Sequence, residues 1–249
     1  MNRTKIEWAD YTWSPVTGCY HGCKYCYARR IAHRFRNQDK ESVETAEWMK
    51  KNRMVLESQS KDPYPCNFVP TFHKNRLDQP AKRKKPAKIF VSSMGDLFGE
   101  WVPDEWIEEV LKVVRDCPQH TFMFLTKNPN RYYKWFGYDI ENIPMNVWIG
   151  SSADNATDAH VRSENLGFMD AKVKFLSLEP LLEDVSEYIE WEAFDWLIIG
   201  GQTGPGAKET IPAWVENAIS YARAYDLPIF LKDNLEWPEK VQEWPEVMK

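Results

Sequence analysis

No stretch of the sequence approaches the roughly 20 consecutive apolar residues that a membrane helix needs. Met1 to Trp13 also has no apolar core of an export signal. A cytoplasmic chain with no membrane partner is expected. A basic surplus is missing too: 32 Lys plus Arg stand against 37 Asp plus Glu in 249 residues, a formal charge of −5. That balance argues against a protein whose whole surface binds polyanions. Cysteine is scarce and odd in number, five in all, so a disulfide framework fits poorly. Three of the five fall between Cys19 and Cys26, which is the pattern of a ligand cluster in a reducing compartment.

What is present is enough apolar material, 43% hydrophobic and 14% aromatic, for one substantial core and one domain over residues 1–249. The charge is uneven. Residues 1–90 carry a net +10 and residues 91–249 a net −15, so an anionic partner should meet the N-terminal third. Short β-rich runs recur at Thr12–Thr17, Lys88–Ser93, Thr121–Thr126, Asn146–Ser151, Lys172–Leu178, Trp196–Gly200 and Pro228–Lys232. Several are apolar on both faces, as in a parallel sheet covered by helices. The helices expected between them are Tyr27–Arg36, Asp104–Asp116, Pro129–Phe136, Thr157–Gly167, a short one near Leu182–Tyr188, and Pro212–Tyr225. This alternation predicts an α/β fold, either a barrel or a doubly wound sheet. Residues 37–86, charged and Pro-containing, break the rhythm and read as an insertion after the first helix. The spacing of Val43, Ala46, Met54 and Val55 predicts a helix there over Val43–Ser58.

Cys19, Cys23 and Cys26 stand in the run Gly-Cys-Tyr-His-Gly-Cys-Lys-Tyr-Cys-Tyr, with the spacing C-x3-C-x2-C. They fall in the loop between the first strand and first helix, at the carboxyl edge where α/β folds place active sites. Four-iron clusters ordinarily take four cysteines, so three leave one iron open to another ligand. Gly18 and Gly22 suit the tight path of such a loop. The alternative is a zinc site completed by His21 or His33, although the second ligand knuckle usual for zinc is missing. Cys66 and Cys117 read as unligated thiols.

The spacing, with an aromatic residue just before the last cysteine, resembles the signature of radical S-adenosylmethionine (SAM) enzymes. Phe90–Phe98, Phe175–Leu182 and Ile199–Gly206 resemble a phage-associated, DUF5131-like subfamily of uncharacterised function, and this likeness spans nearly the whole chain. The segment from Phe230 to Asn234 departs from the ending expected of that subfamily. The resemblance implies a partial TIM-like (βα)6-type barrel and a [4Fe-4S] cluster on Cys19, Cys23 and Cys26. It also implies SAM chelated to the open iron, and an external electron donor whose electron cleaves SAM to a 5′-deoxyadenosyl radical. A phage-encoded chain would work in the host cytoplasm.

The resemblance gives Met94-Gly95-Asp96 the place of a glycine-containing segment ending in an acid that meets the amino group of SAM. A carboxylate is a sensible partner for an ammonium; the plain reading is a turn with a solvated Asp. Thr126, Lys127, Ser151, Ser152 and Glu179 fall at the carboxyl ends of strands and are expected to converge on one mouth. There Lys127 can neutralise a carboxylate or phosphate, Ser151 can bond a ribose, and Glu179 can hold ribose hydroxyls or act on substrate, with surface roles as the alternative. Gln202 stands in a loop with four glycines in seven residues, Gly200 to Gly206, which can cradle adenine or phosphate through its amides or simply close an edge. It is no P-loop, since the Gly-Lys-Ser/Thr ending is absent. The run His73–Lys88 carries seven Lys or Arg against one Asp, and is either a nucleic-acid backbone contact, Lys74–Lys88, or a solvated loop. The function expected is radical SAM chemistry on a substrate that includes nucleic acid or nucleotide among its candidates. The alternative is a metal-stabilised, non-catalytic nucleic-acid-binding accessory protein.

Overall fold

The computed structural model describes residues 1–35, 39–137 and 140–246. Arg36, where the first expected helix ends, and Asn37, where the expected insertion begins, lie outside the described residues. The chain divides into two compact units, Met1–Phe124 and Leu125–Lys249.

The first unit holds β1 (Asn2–Arg3), β2 (Tyr11–Trp13), β3 (Val16–Thr17), α1 (Tyr27–Phe35), α2 (Lys40–Lys51), β4 (Leu56–Ser58), β5 (Thr71–His73), β6 (Lys88–Val91), α3 (Asp104–Asp116) and most of β7 (Thr121–Thr126). β1 pairs antiparallel with β2, and β2, β6 and β7 run parallel, with Tyr11 opposite Ile89 and Ile89 opposite Phe122. α3 presents Trp106, Ile107, Val110, Leu111 and Val114 inward at helical spacing. Each such side chain contributes roughly 1.5–3 kcal/mol on burial. Its N-terminus carries Asp104 and Glu105 in the first turn, where the helix dipole favours them.

Two expectations need correction in this unit. The run Thr12–Thr17 is two strands in two sheets, because the chain turns at Ser14-Pro15: β2 joins the parallel sheet, while β3 pairs with β5, which also pairs with β4. The expected insertion helix Val43–Ser58 ends at Lys51. Arg53 takes the left-handed conformation at φ 50°, and the chain continues into β4 instead. The charged segment supplies β4 and β5 to the small sheet. It carries its own small core of Ala46, Cys66 and Val69, and Phe72 stacks on Trp106 with ring centroids 5.1 Å apart.

The second unit holds α4 (Tyr132–Phe136), β8 (Val147–Ser152), α5 (Ala156–Gly167), β9 (Lys174–Leu178), β10 (Trp196–Ile199), α6 (Pro212–Ala224) and β11 (Ile229–Leu231). β8, β9, β10 and β11 are parallel neighbours, with Ile149 opposite Lys174, Leu176 opposite Leu197, and Leu197 opposite Ile229. β8, β10 and β11 are buried at every position, as their two-faced apolar patterns predict. Trp196 packs against Phe175, Phe230 and Trp244. Gly150 is required by close packing, since a Cβ there would sit 2.5 Å from the Phe175 ring. The helix expected near Leu182–Tyr188 is only a 3-10 turn at Ser186–Tyr188.

The outcome is a mixed α/β protein whose sheet pairing is mostly parallel. Of the expected partial (βα)6-type barrel only the mostly parallel strand order is seen; no barrel is detected among the described residues. No described helix is long and apolar enough to cross a membrane.

Candidate functional site

The cysteine loop leaves the end of β3 through Gly18, at φ 81°. A Cβ on Gly18 would lie 2.4 Å from the Val69 carbonyl oxygen, and one on Gly95 would lie 2.8 Å from the Gly18 oxygen. Only glycine permits this approach. The Gly18 amide donates to Met94 O at 2.8 Å and the Cys19 amide to Phe68 O at 3.3 Å. The loop is thus clamped between the segment after β6 and the segment before β5. Beneath it lies His73, fully buried, whose Nε2 pairs with Thr17 Oγ1 at 2.8 Å. Burial, with Arg76 nearby, pushes the His73 pKa down to about 3, so the ring is neutral.

Beyond Cys19 the loop closes on itself. His21 N donates to Cys19 Sγ at 3.4 Å, Arg29 N to Cys26 Sγ at 3.4 Å, and Arg29 Nη2 to Cys23 O at 2.6 Å. Tyr27 donates its hydroxyl to Ser93 O at 2.6 Å. None of the five cysteines forms a disulfide. Burial pushes the Cys19 thiol well above the ordinary range, and Asp96, Cys23 and Cys26 push it further. Burial raises Cys26 as well, with Cys23 adding to it. Cys23 thus stands close enough to both Cys19 and Cys26 to disfavour their ionisation.

Asp96 is where the sequence places it, directly after β6, but its environment is not that of a solvated turn residue. Only 5% exposed, it accepts from Phe98 N at 2.9 Å through Oδ1, and its Oδ2 lies 2.7 Å from His21 Nε2. His21, read from sequence only as an optional zinc ligand, is therefore a partner of Asp96. Its ring packs edge-on to Trp101, centroids 4.8 Å apart. Sequence offered no signal for that pair, because 75 residues separate its members.

In the second unit the expected residues sit at the carboxyl ends of β7, β8, β9 and β10, but largely engaged with protein. Thr126 Oγ1 accepts from Asn128 N at 2.9 Å, and Ser151, fully buried, donates to Thr126 O at 3.1 Å. Lys127 Nζ is 2.7 Å from Asp154 Oδ1. Arg162 reaches Asp158 at 2.8 Å and donates to Ser152 O at 2.7 Å. Glu179 accepts from Ser177 Oγ at 3.2 Å and pairs with Lys232 at 2.7 Å. Lys232 comes from the Phe230–Asn234 segment, the one that departs from the expected ending. Asn234 exchanges two hydrogen bonds with the backbone of Gly201. Gln202 Oε1 accepts from Lys208 N at 3.2 Å, which makes it a brace of the glycine loop. Asp154, Arg162 and Lys232 are the residues sequence reasoning missed: the partners of Asp154 and Lys232 lie 27 and 53 positions away, whereas Arg162 pairs with Asp158 one turn before it on α5.

Among the described residues no three His, Cys, Asp or Glu side chains stand at the spacing of one metal ion. Two thiolates on a single zinc lie within about twice the ~2.3 Å zinc–sulfur bond. A four-iron cluster takes each cysteine on a different iron and so holds the sulfurs farther apart. Three soft thiols in one loop are the donor type such a cluster takes, and a cationic centre would reverse the rise of the Cys19 and Cys26 thiols.

The family model described as "Protein of unknown function (DUF5131)" matches residues 3–246. The chain belongs to this family. No curated protein matches it. Among solved structures it is similar to a mutant of spore photoproduct lyase, at 10% identity and a TM-score of 0.49. The match covers 89% of this chain and 64% of that one, so the DUF5131 chain spans less than two thirds of that protein's length.

Proposed function

We propose that this DUF5131 chain is a radical SAM enzyme, with Cys19, Cys23 and Cys26 holding a [4Fe-4S] cluster that binds SAM at its open iron. The observation that carries this reading is the cysteine loop itself: C-x3-C-x2-C directly after β3, glycine-clamped against the segment that follows the parallel strand β6, with Cys23 and Cys26 both adding to the rise of the Cys19 thiol. When bound, the cluster would supply, from an external donor, the electron that cleaves the sulfonium bond of SAM.

The rest is the chain's own work. Gly95 lets the backbone of Met94-Gly95-Asp96 approach a ligand at the loop. Each carboxylate oxygen has a second lone pair, so Asp96 can receive the ammonium of SAM while His21 Nε2 and Phe98 N fix its orientation. In the second unit a ligand carboxylate or phosphate competes with Asp154 for Lys127, and a ligand hydroxyl competes with Ser177 for Glu179. Thr126, Ser151, Ser152 and Gln202 shape those strand ends. The substrate class favoured by the charge asymmetry is nucleic acid or nucleotide.

The test is anaerobic reconstitution of the full chain with iron and sulfide. The expected result is a visible absorbance that bleaches on reduction, and release of 5′-deoxyadenosine when SAM and dithionite are added. A reconstituted, reducible cluster that leaves SAM intact would overturn the enzymatic reading in favour of a metal-stabilised accessory protein.

A further inference from the structure

The basic run Lys74–Lys88 divides once its contacts are read. Lys74 pairs with Glu57 at 2.9 Å, and Arg76 is turned inward to donate to Ser14 O at 3.0 Å. Lys88 sits half-buried at the start of β6, its backbone locked to Asp10. Lys82, Arg83, Lys84 and Lys85 remain, and with Gln79 and Met1 they line a recess of about 460 Å³ that opens to solvent.

How the loop is held explains why the recess is cationic. The carbonyls of Pro80 and Arg83 face inward, each 3.1 Å from Nε2 of the buried His120, and Gln119 Nε2 donates to Arg83 O at 3.2 Å. Two acceptors are thus drawn to the protein side; Lys82, Lys84 and Lys85 are exposed, Arg83 is half-buried, and Lys84 Nζ also donates to Ala81 O at 3.3 Å. Arg83 lies over the Tyr11 ring at 4.3 Å, which orients its guanidinium. Asp78 pairs with Lys82, and no other acid occurs between Gln79 and Lys88. The volume falls within the range of ligand sites, roughly 300–1,000 Å³.

We propose that this recess binds the phosphodiester backbone of a nucleic-acid strand, at a site separate from the cysteine loop. The two lie at opposite ends of β6: the basic residues precede Lys88, whereas Met94, which bonds Gly18, follows Val91. A ligand in the recess is therefore not the group held by the cysteines. Consecutive cations along an open recess match an anion that repeats its charge better than one isolated phosphate. Among the described residues the lining includes no aromatic, Leu or Ile side chain to anchor in lipid. The proposal does not depend on the cluster, because binding is measured on the full chain with and without reconstitution.

The experiment is anisotropy of labelled single-stranded and duplex oligonucleotides titrated with the full chain between about 50 and 200 mM salt. Two variants with the same charge change are compared: Lys84→Gln with Lys85→Gln in the recess, and Lys50→Gln with Lys51→Gln at the exposed end of α2. The recess variant should weaken binding about tenfold at low salt and reduce the log–log salt slope by roughly 1.4–1.8, for two lost phosphate contacts. The α2 variant should keep the wild-type slope. Equal loss in both variants, or no salt-sensitive binding by the wild-type chain, overturns the proposal. So does displacement of the strand by inorganic phosphate at matched ionic strength, which would mark a simple phosphate site, or binding to phosphatidylserine vesicles in place of nucleic acid.

Discussion

The carboxyl end of the strands in the first unit and that in the second solve the same problem with different chemistry. In the first, the loop is fixed by backbone: two glycines at contact distance, amides on Met94 and Phe68 carbonyls, and a buried neutral histidine below. In the second, side-chain charge closes the ends: Lys127 on Asp154, Arg162 on Asp158, Lys232 on Glu179. The contrast teaches where ligand chemistry has room. The Cys19 and Cys26 thiols, raised by burial and by neighbouring groups, would be relieved by a cationic centre. Paired carboxylates and ammoniums already satisfy each other and admit a ligand only by exchange.

The largest expected effect falls on the thiols. Replacing Cys19, Cys23 or Cys26 by Ala should abolish cluster assembly, measured as iron and sulfide per chain, because two thiolates seldom retain a four-iron centre. Cys66→Ala and Cys117→Ala should load normally, and iron loss in either would break the assignment. Next comes pH. His73 takes a proton near 6.5 when unfolded and only near 3 when folded. Its contribution to stability is therefore intact above pH 6.5 and is lost as pH falls toward 3, by of order 4 kcal/mol. Urea melts of His73→Gln should lose that part of the acid dependence while salt leaves it unchanged.

Gly18→Ala combines a left-handed backbone with a collision on Val69 O and should cost about 3 kcal/mol, lowering the urea midpoint and cluster occupancy together. Lys232→Met breaks a mostly buried pair with Glu179 and should cost about 2 kcal/mol, between exposed and buried ion-pair values. A double-mutant cycle with Glu179→Gln would show whether the pair itself supplies it. Gly22→Ala is the smallest. Its φ is 75° but nothing stands within 4 Å of an added Cβ, so about 1 kcal/mol of backbone strain is expected. Equal losses at Gly18 and Gly22 would remove the contact argument and leave strain alone.

The sequence by itself determined most of the element pattern and the gathering of three cysteines in one loop. β7 and α3 lie where apolar periodicity puts them, and β6, β8, β9, β10 and β11 fall within one or two residues at each end, because a strand buried on both faces must be apolar throughout. The three cysteines are legible because eight consecutive residues suffice to bring them into one loop. Tertiary structure alone decided that Thr12–Thr17 divides between two sheets, that the charged segment packs under Trp106, and that His21 meets Asp96. It also decided that the unexpected Lys232 answers Glu179, and that four of seven basic residues face a recess at the far end of β6. The reason is physical. Hydrophobic period is written every two or four residues, whereas an ion pair or a clamped glycine depends on segments tens of residues apart that meet only after the strands have chosen their neighbours.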